Sequence, residues 1–110
     1  PIHAPALLGS AWGTLVAGRL LRDETRARER HGDNSRWVTG LGLHTPQGTW
    51  HRLVALPSWG DNSYPGLLWE DATTVQIAYY SQHQRKAECE DTYYPYPADI
   101  YLARVRLEEV

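Results

Sequence analysis

The sequence predicts an all-β chain, and three observations point there. Apolar residues alternate in short runs bounded by turn residues, no window carries a helical apolar stripe, and one segment is written twice. Residues 3–23 and 63–83 align with a shift of sixty positions: His3-Ala-Pro-Ala-Leu-Leu answers Ser63-Tyr-Pro-Gly-Leu-Leu, and Gly13-Thr-Leu-Val-Ala-Gly-Arg answers Thr73-Thr-Val-Gln-Ile-Ala-Tyr. After a loop of different length, Arg36-Trp-Val-Thr-Gly-Leu aligns over Ile100-Tyr-Leu-Ala-Arg-Val. A repeat of this length marks stacked or radially arranged units, each unable to bury its apolar face alone.

Taken in order, strands are expected at 5–10, 14–21, 36–44, 50–56, 65–70, 74–81 and 99–107. Tight turns at 10–13, 45–48 and 70–73 carry the Gly, Pro, Asp or Ser that turn geometry requires. The 22–30 stretch has helical propensity but no apolar face, so it reads as a solvated loop or a single turn. Two long connections, 23–35 and 82–98, follow the second strand of each repeat, where functional loops usually sit on a rigid scaffold. Four strands fall in the first unit and three in the second. Four-stranded antiparallel units repeated around an axis are the blades of a β-propeller, so the chain divides into a first blade, 1–57, and a second, 58–110.

Composition bounds the function. A net charge of -2 supplies no field to draw nucleic acid or an anionic membrane, and no apolar run approaches the ~20 residues of a spanning helix. No signal peptide is legible, a start at Pro1 reads as a trimmed end, and the compartment stays open. Ten of the eleven cations are arginine and only Lys86 is lysine; this is weak evidence for bidentate anion recognition and is better explained by an arginine-rich codon bias. Five tryptophans and seven tyrosines stand against no phenylalanine or methionine, a bias suited to sugar-binding faces and interfaces. The single cysteine, Cys89, has no closely spaced His or Cys beside it, so neither an internal disulfide nor a zinc site is expected, and no cofactor is implied.

The string Leu56-Pro-Ser-Trp-Gly-Asp-Asn-Ser-Tyr-Pro-Gly-Leu-Leu, then Ile77-Ala-Tyr-Tyr-Ser and Asp99-Ile-Tyr-Leu-Ala-Arg-Val-Arg-Leu, resembles the closing blades of the sialidase (neuraminidase) superfamily, whose members are six-bladed propellers with BNR repeats. His3-Ala-Pro-Ala-Leu with Ala17-Gly-Arg is similar to the preceding blade. The family's Asp-box turn, Ser-x-Asp-x-Gly-x-Thr-Trp, survives only as Leu43-His-Thr-Pro-Gln-Gly-Thr-Trp: Thr49 and Trp50 fit, the Ser and Asp do not. Two blades are one third of such a ring. The chain is then a fragment, a relic, or a subunit of which three copies close one propeller; a homotrimer covers the sheet faces that two isolated blades leave wet.

In that topology the rim of the funnel is built from residues before the first strand and after the second strand of each unit. These are His3, Asp61, Asn62 and Tyr64, with Arg19, Arg22, Asp23, Tyr79, Tyr80 and His83. The resemblance implies that Tyr64 occupies the position of the sialidase nucleophile; the alternative is that Tyr64 packs the inner strand. No motif identifies the family's partner glutamate here, and Asp61 is a candidate only by lying three residues upstream. A phenol titrates near ~10, so such a nucleophile needs a base to take its proton. Arg19 matches a carboxylate-clamping arginine, or else a salt bridge to Asp23 or Glu24. Trp12, Trp37, Trp50 and Trp69 read as packing residues, and Trp59, beside Gly60 in a loop, as the one that stacks on ligand.

Sialidase sites are asymmetric, and a two-blade unit repeated three times cannot place different residues in each third. The leading expectation is therefore a propeller module that binds carbohydrate or another small anionic ligand at its rim. A sialidase-like glycoside hydrolase with Tyr64 as nucleophile is the alternative, and a protein-interaction scaffold the third.

Overall fold

The computed structural model describes residues 2–22, 37–59, 62–83 and 98–108. Seven strands occupy the expected places: β1 (His3–Ser10), β2 (Gly13–Leu21), β3 (Trp37–His44), β4 (Trp50–Ala55), β5 (Ser63–Trp69), β6 (Thr74–Ser81) and β7 (Asp99–Arg106). They form two antiparallel sheets, β1-β2-β3-β4 and β5-β6-β7. Among the described residues no fourth strand pairs with β7, and none lies in an α-helix.

The first strand of each sheet begins two residues earlier than expected, and for the same reason in both. Pro5 and Pro65 lack the N–H that a regular ladder needs. Each strand therefore breaks register, between His3 and Ala6 in one and between Ser63 and Gly66 in the other, and resumes pairing beyond the proline. Ala4 (φ 51°) and Tyr64 (φ 45°) take the left-handed conformation at the same point of this bulge. The sequence repeat is thus a repeat of backbone geometry.

The register corrects the alignment read from the sequence. Ala6 pairs Ala17 while Gly66 pairs Ala78, so β1 maps onto β5 with a shift of sixty and β2 onto β6 with a shift of sixty-one. The added residue lies in the second hairpin. Ser10 pairs Gly13 across two loop residues, whereas Glu70 N–H donates to Thr74 O (2.8 Å) across three. Asp71 fills that longer turn, its carboxylate accepting from the Thr73 and Thr74 N–H groups at 2.9 and 2.8 Å. Thr14 pairs His44 and its counterpart Val75 pairs Val105, so β3 also maps onto β7 with a shift of sixty-one, matching Leu41 to Leu102. The alignment of Arg36 over Ile100, a shift of sixty-four, is therefore replaced.

This register decides how the sheets meet. Leu8, Leu15, Ala17 and Leu41 of the first sheet pack against Leu67, Val75, Ile77 and Tyr79 of the second, with Leu56 closing the cluster. Leu8 faces inward, yet its counterpart Leu68 is 60% exposed; Leu7 is 66% exposed, yet its counterpart Leu67 is packed inside. Equivalent faces consequently point the same way, and the sheets stack head to tail rather than face to face. Each fully buried Leu, Ile or Val contributes roughly 1.5–3 kcal/mol, and on the outward side of the first sheet Val16, Leu20 and Val38 are buried as well.

At the hairpin end, Trp69 Nε1–H crosses to Gly9 O (2.9 Å) and ties the sheets together. Gly13 (φ 139°) is held so close to β3 that an added Cβ would lie 2.3 Å from His44 O. Gly13→Ala is expected to lower stability by about 1–3 kcal/mol, read as a fall in denaturant midpoint at unchanged slope. Gly9→Ala, where the added methyl meets nothing within 4 Å, should leave the midpoint nearly unmoved. Ile77→Ala, by emptying the centre of the cluster, should cost roughly 2–5 kcal/mol in the same assay.

Candidate functional site

Because every strand pairs antiparallel with its neighbour, the starts of β1, β3, β5 and β7 and the ends of β2, β4 and β6 lie at one end of the two sheets. The described rim candidates all come from this end. Asp61 and Asp23 lie outside the described residues, as do the partners Glu24 and Gly60.

The candidates fall into two groups. The first is a polar seam between the sheets. Arg19 Nε–H donates to Asn62 O at 3.0 Å, and an Arg22 guanidinium N–H donates to Ser58 O at 2.7 Å. Asn62 is fully buried; its Oδ1 accepts from Thr39 Oγ1 (2.7 Å) and its Nδ2 donates to Trp37 O (3.3 Å). Thr39 N–H donates to Ser58 Oγ at 2.8 Å. Trp59 is also buried, its N–H donating to Ser81 Oγ (3.0 Å) and its carbonyl accepting from Gln82 N–H (3.1 Å). The indole expected to stack on a ligand is thus enclosed in the connection between β4 and β5. The seam satisfies polar backbone that would otherwise be buried without partners.

Tyr79 belongs to this inner layer. It is 4% exposed, and its hydroxyl donates to Pro57 O at 2.9 Å; burial, with Tyr101 nearby, pushes its pKa above the ordinary 10.0. His83 sits at the margin, its ring centroid 4.4 Å from that of Tyr101 and its Nδ1 2.9 Å from Ser81 Oγ. Burial lowers its pKa from 6.5, with Asp99 opposing.

The second group is exposed and aromatic. Tyr64, 70% exposed, stacks on Tyr80 with ring centroids 6.0 Å apart and planes 14° from parallel. The bulge is the cause: the left-handed turn at Tyr64 swings its side chain to the outward side of the second sheet, over β6. Its hydroxyl has no hydrogen-bond partner among the described residues. His3 stands at the equivalent end of the first sheet with its ring 4.8 Å from Trp37. The structure therefore pairs Tyr64 with Tyr80 and Arg19 with Asn62, while Trp59 and Tyr79 sit inside.

Thr39, Ser58 and Ser81, which hold the seam, were not among the candidates. Each reads in sequence as an ordinary strand or turn residue, and no periodicity couples 39 to 62 or 59 to 81. The left-handed Ser63 and Tyr64 carried the one available signal, a proline immediately after them. The strain there has a counterpart at Ala4, so it belongs to the repeat and is not peculiar to a reaction centre.

At the opposite end a shallow groove of about 390 Å³ is lined by Glu70, Asp71, Thr73, Thr74, Arg104 and Arg106. The Arg104–Glu70 ion pair fills its chemistry, and hydrogen bonds from Arg104 and Gln76 hold the Glu70 carboxyl below its ordinary pKa. Among the described residues no three His, Cys, Asp or Glu side chains converge to hold a metal. The chain matches no protein-family model, no curated protein and no solved structure.

Asn62→Ala is expected to cost about 1–3 kcal/mol of unfolding free energy by stranding the Thr39 hydroxyl and the Trp37 carbonyl, and to loosen amide exchange at Thr39. His83 gives a pH signature. Its folded pKa lies below the unfolded value, so the unfolded chain binds more protons at acid pH. Stability is level above about 6.5 and falls as pH drops through 6.5 toward the folded pKa. His83→Gln should flatten that slope in thermal melts between pH 7 and 5.

Proposed function

We propose that this chain is a two-blade module of a β-propeller, of the sialidase-like kind its sequence resembles, that binds carbohydrate or another small anionic ligand at the rim where its rim candidates gather. Head-to-tail stacking supports the propeller reading, since blades around an axis repeat the same face in the same direction. The single observation that carries the binding reading is the exposed, stacked Tyr64–Tyr80 pair. Amphipathic aromatic faces held rigid by a strand are suited to pack on the apolar side of a sugar while their hydroxyls reach its polar groups.

Arg19 and Arg22 stand at the same end, where an N–H of each donates to the connection between the sheets. Binding ranks above turnover on chemical grounds. A tyrosine nucleophile needs a neighbouring base, and the Tyr64 hydroxyl is stacked beside another phenol.

Titration with sialosides and neutral oligosaccharides, followed by amide chemical shifts, tests the reading. Saturable shifts centred on Tyr64, Tyr80 and His3 are expected, and Tyr64→Ala should weaken affinity roughly tenfold, the value of one aromatic stacking contact of about 1.4 kcal/mol. Absence of saturable binding to any glycan or small carboxylate would sink it. Release of fluorophore from a sialoside substrate, abolished by Tyr64→Phe, would instead establish the hydrolase alternative.

A further inference from the structure

The two sheets end on four strands, β1 and β4 in one and β5 and β7 in the other. An end strand with unpaired N–H and C=O groups is a template for another chain, and folded proteins blunt it with proline or a bulge. Three of the four are blunted. β1 and β5 break register at Pro5 and Pro65, and β4 carries Leu53 as an extra residue, since Leu41 pairs Val54 while Gly42 pairs Arg52. β7 has no such device. It pairs β6 without a shift of register from Asp99 to Arg106 and contains no proline.

The hydrogen-bond phase shows what this edge offers. Leu107 N–H donates to Thr73 O (2.7 Å), so every second residue from Asp99 to Leu107 turns its backbone toward β6. Ile100, Leu102, Arg104 and Arg106 therefore turn theirs toward the open side. In the first unit the equivalent backbone is taken by a fourth strand. The counterparts of Ile100 and Leu102 are Thr39 and Leu41; Leu56 N–H donates to Thr39 O (2.8 Å), and Leu41 pairs Val54. In the second unit nothing among the described residues pairs there, and Ile100 and Leu102 are 84% and 63% exposed. Arg104 does not guard the edge, because its guanidinium is drawn back across β6 onto Glu70, whose carboxylate also accepts from Gln76.

We infer that β7 pairs antiparallel with β7 of a second copy of this chain, joining two three-stranded sheets into one of six strands. The occupant follows from the edges on offer: β7 is the one end strand of the described residues with neither proline nor bulge, so its regular match is another β7. The two strands are related by a dyad, and the phase restricts where it falls. Opposed residues share a face and both turn their backbone outward, so even-numbered positions oppose even-numbered positions. A dyad at Leu102 sets Leu102 against Leu102 and Ile100 against Arg104, and leaves Arg106 beyond the paired segment. Ile100 and Leu102 of the two copies then form one apolar cluster. The contact depends neither on the rim reading nor on any count of blades.

Light scattering after size exclusion is expected to give twice the 12.5 kDa mass for the unaltered chain. Leu102→Lys and Leu102→Glu each oppose like charges at the dyad, so each should run at 12.5 kDa with a cooperative unfolding transition retained. Mixed in equal amounts they should return to the double mass, because the charges at the dyad then differ in sign. Leu53→Lys, on the bulged edge of β4, should leave the mass unchanged. Where a Leu102 variant fails to fold, Ile100→Lys replaces it, since it sets a cation against Arg104 of the second copy. Amide exchange adds a second readout. The Ile100, Leu102 and Arg104 N–H groups should exchange roughly tenfold more slowly at double mass than after dilution to single chains, while Tyr101 and Ala103 stay protected in both.

A single-chain mass for the unaltered protein overturns the inference, and slow exchange at Leu102 in that sample would mean that the chain covers its own edge. A double mass that survives Leu102→Lys, or that is lost with Leu53→Lys, overturns it too. So does a mixture of the Leu102 variants that stays at single-chain mass.

Discussion

Everything in this molecule depends on one apolar contact, the packing of Leu15, Ala17 and Leu41 against Val75, Ile77 and Tyr79. A sheet of three or four strands has a single apolar layer to bury on each side and cannot satisfy it internally. The contact is directional in an informative way. Two sheets related by a simple face-to-face dyad would consume matching faces and leave two polar exteriors. Head-to-tail stacking consumes one face of each kind, which leaves Leu68 and Leu102 on one exterior and Leu7 on the other. The exposure of Ile100, Leu102 and Leu7 follows from the internal packing and is no accident of surface composition.

The rim follows from the same contact. Bringing two sheet ends together buries the backbone of the connection between β4 and β5, and buried amides and carbonyls require partners. Arg19 and Arg22, in and just beyond β2, and Tyr79 and Ser81 of β6 meet that demand. Several residues chosen for ligand chemistry are in this way occupied by structure. Asn62 is fully enclosed, Tyr79 is bonded to Pro57 O, and Trp59 is covered. What stays open is what the bulge ejects: Tyr64, turned outward by a left-handed backbone and laid on Tyr80.

The fold class and nearly all strand positions were legible because they rest on local patterns. Alternation of apolar and polar residues, the Gly48 turn (φ 86°) and the Asp71 turn act within a few residues of one another. The repeat was legible for the same reason, as two copies of one local pattern. Its register was not. A single added residue in the second hairpin moved the alignment of two strands, and a one-residue slip reverses which face a side chain occupies. The segments beginning at 36 and 100 were aligned in sequence, yet the register pairs Leu41 with Leu102 as equivalents. Of the site, the end of the sheets at which candidates gather could be read from strand order alone, whereas their individual environments could not.

By itself, then, the sequence determined that this chain is all-β and that it carries one unit twice. Those properties are set by backbone sterics and short-range periodicity, which a linear reading contains. Only the tertiary structure decided that the sheets stack in the same direction, that Arg19 holds Asn62 across forty-three positions, and that Tyr64 faces solvent while Tyr79 does not. Those outcomes depend on which surfaces meet, and that is set by the sum of burial over both sheets together rather than by any stretch of chain alone.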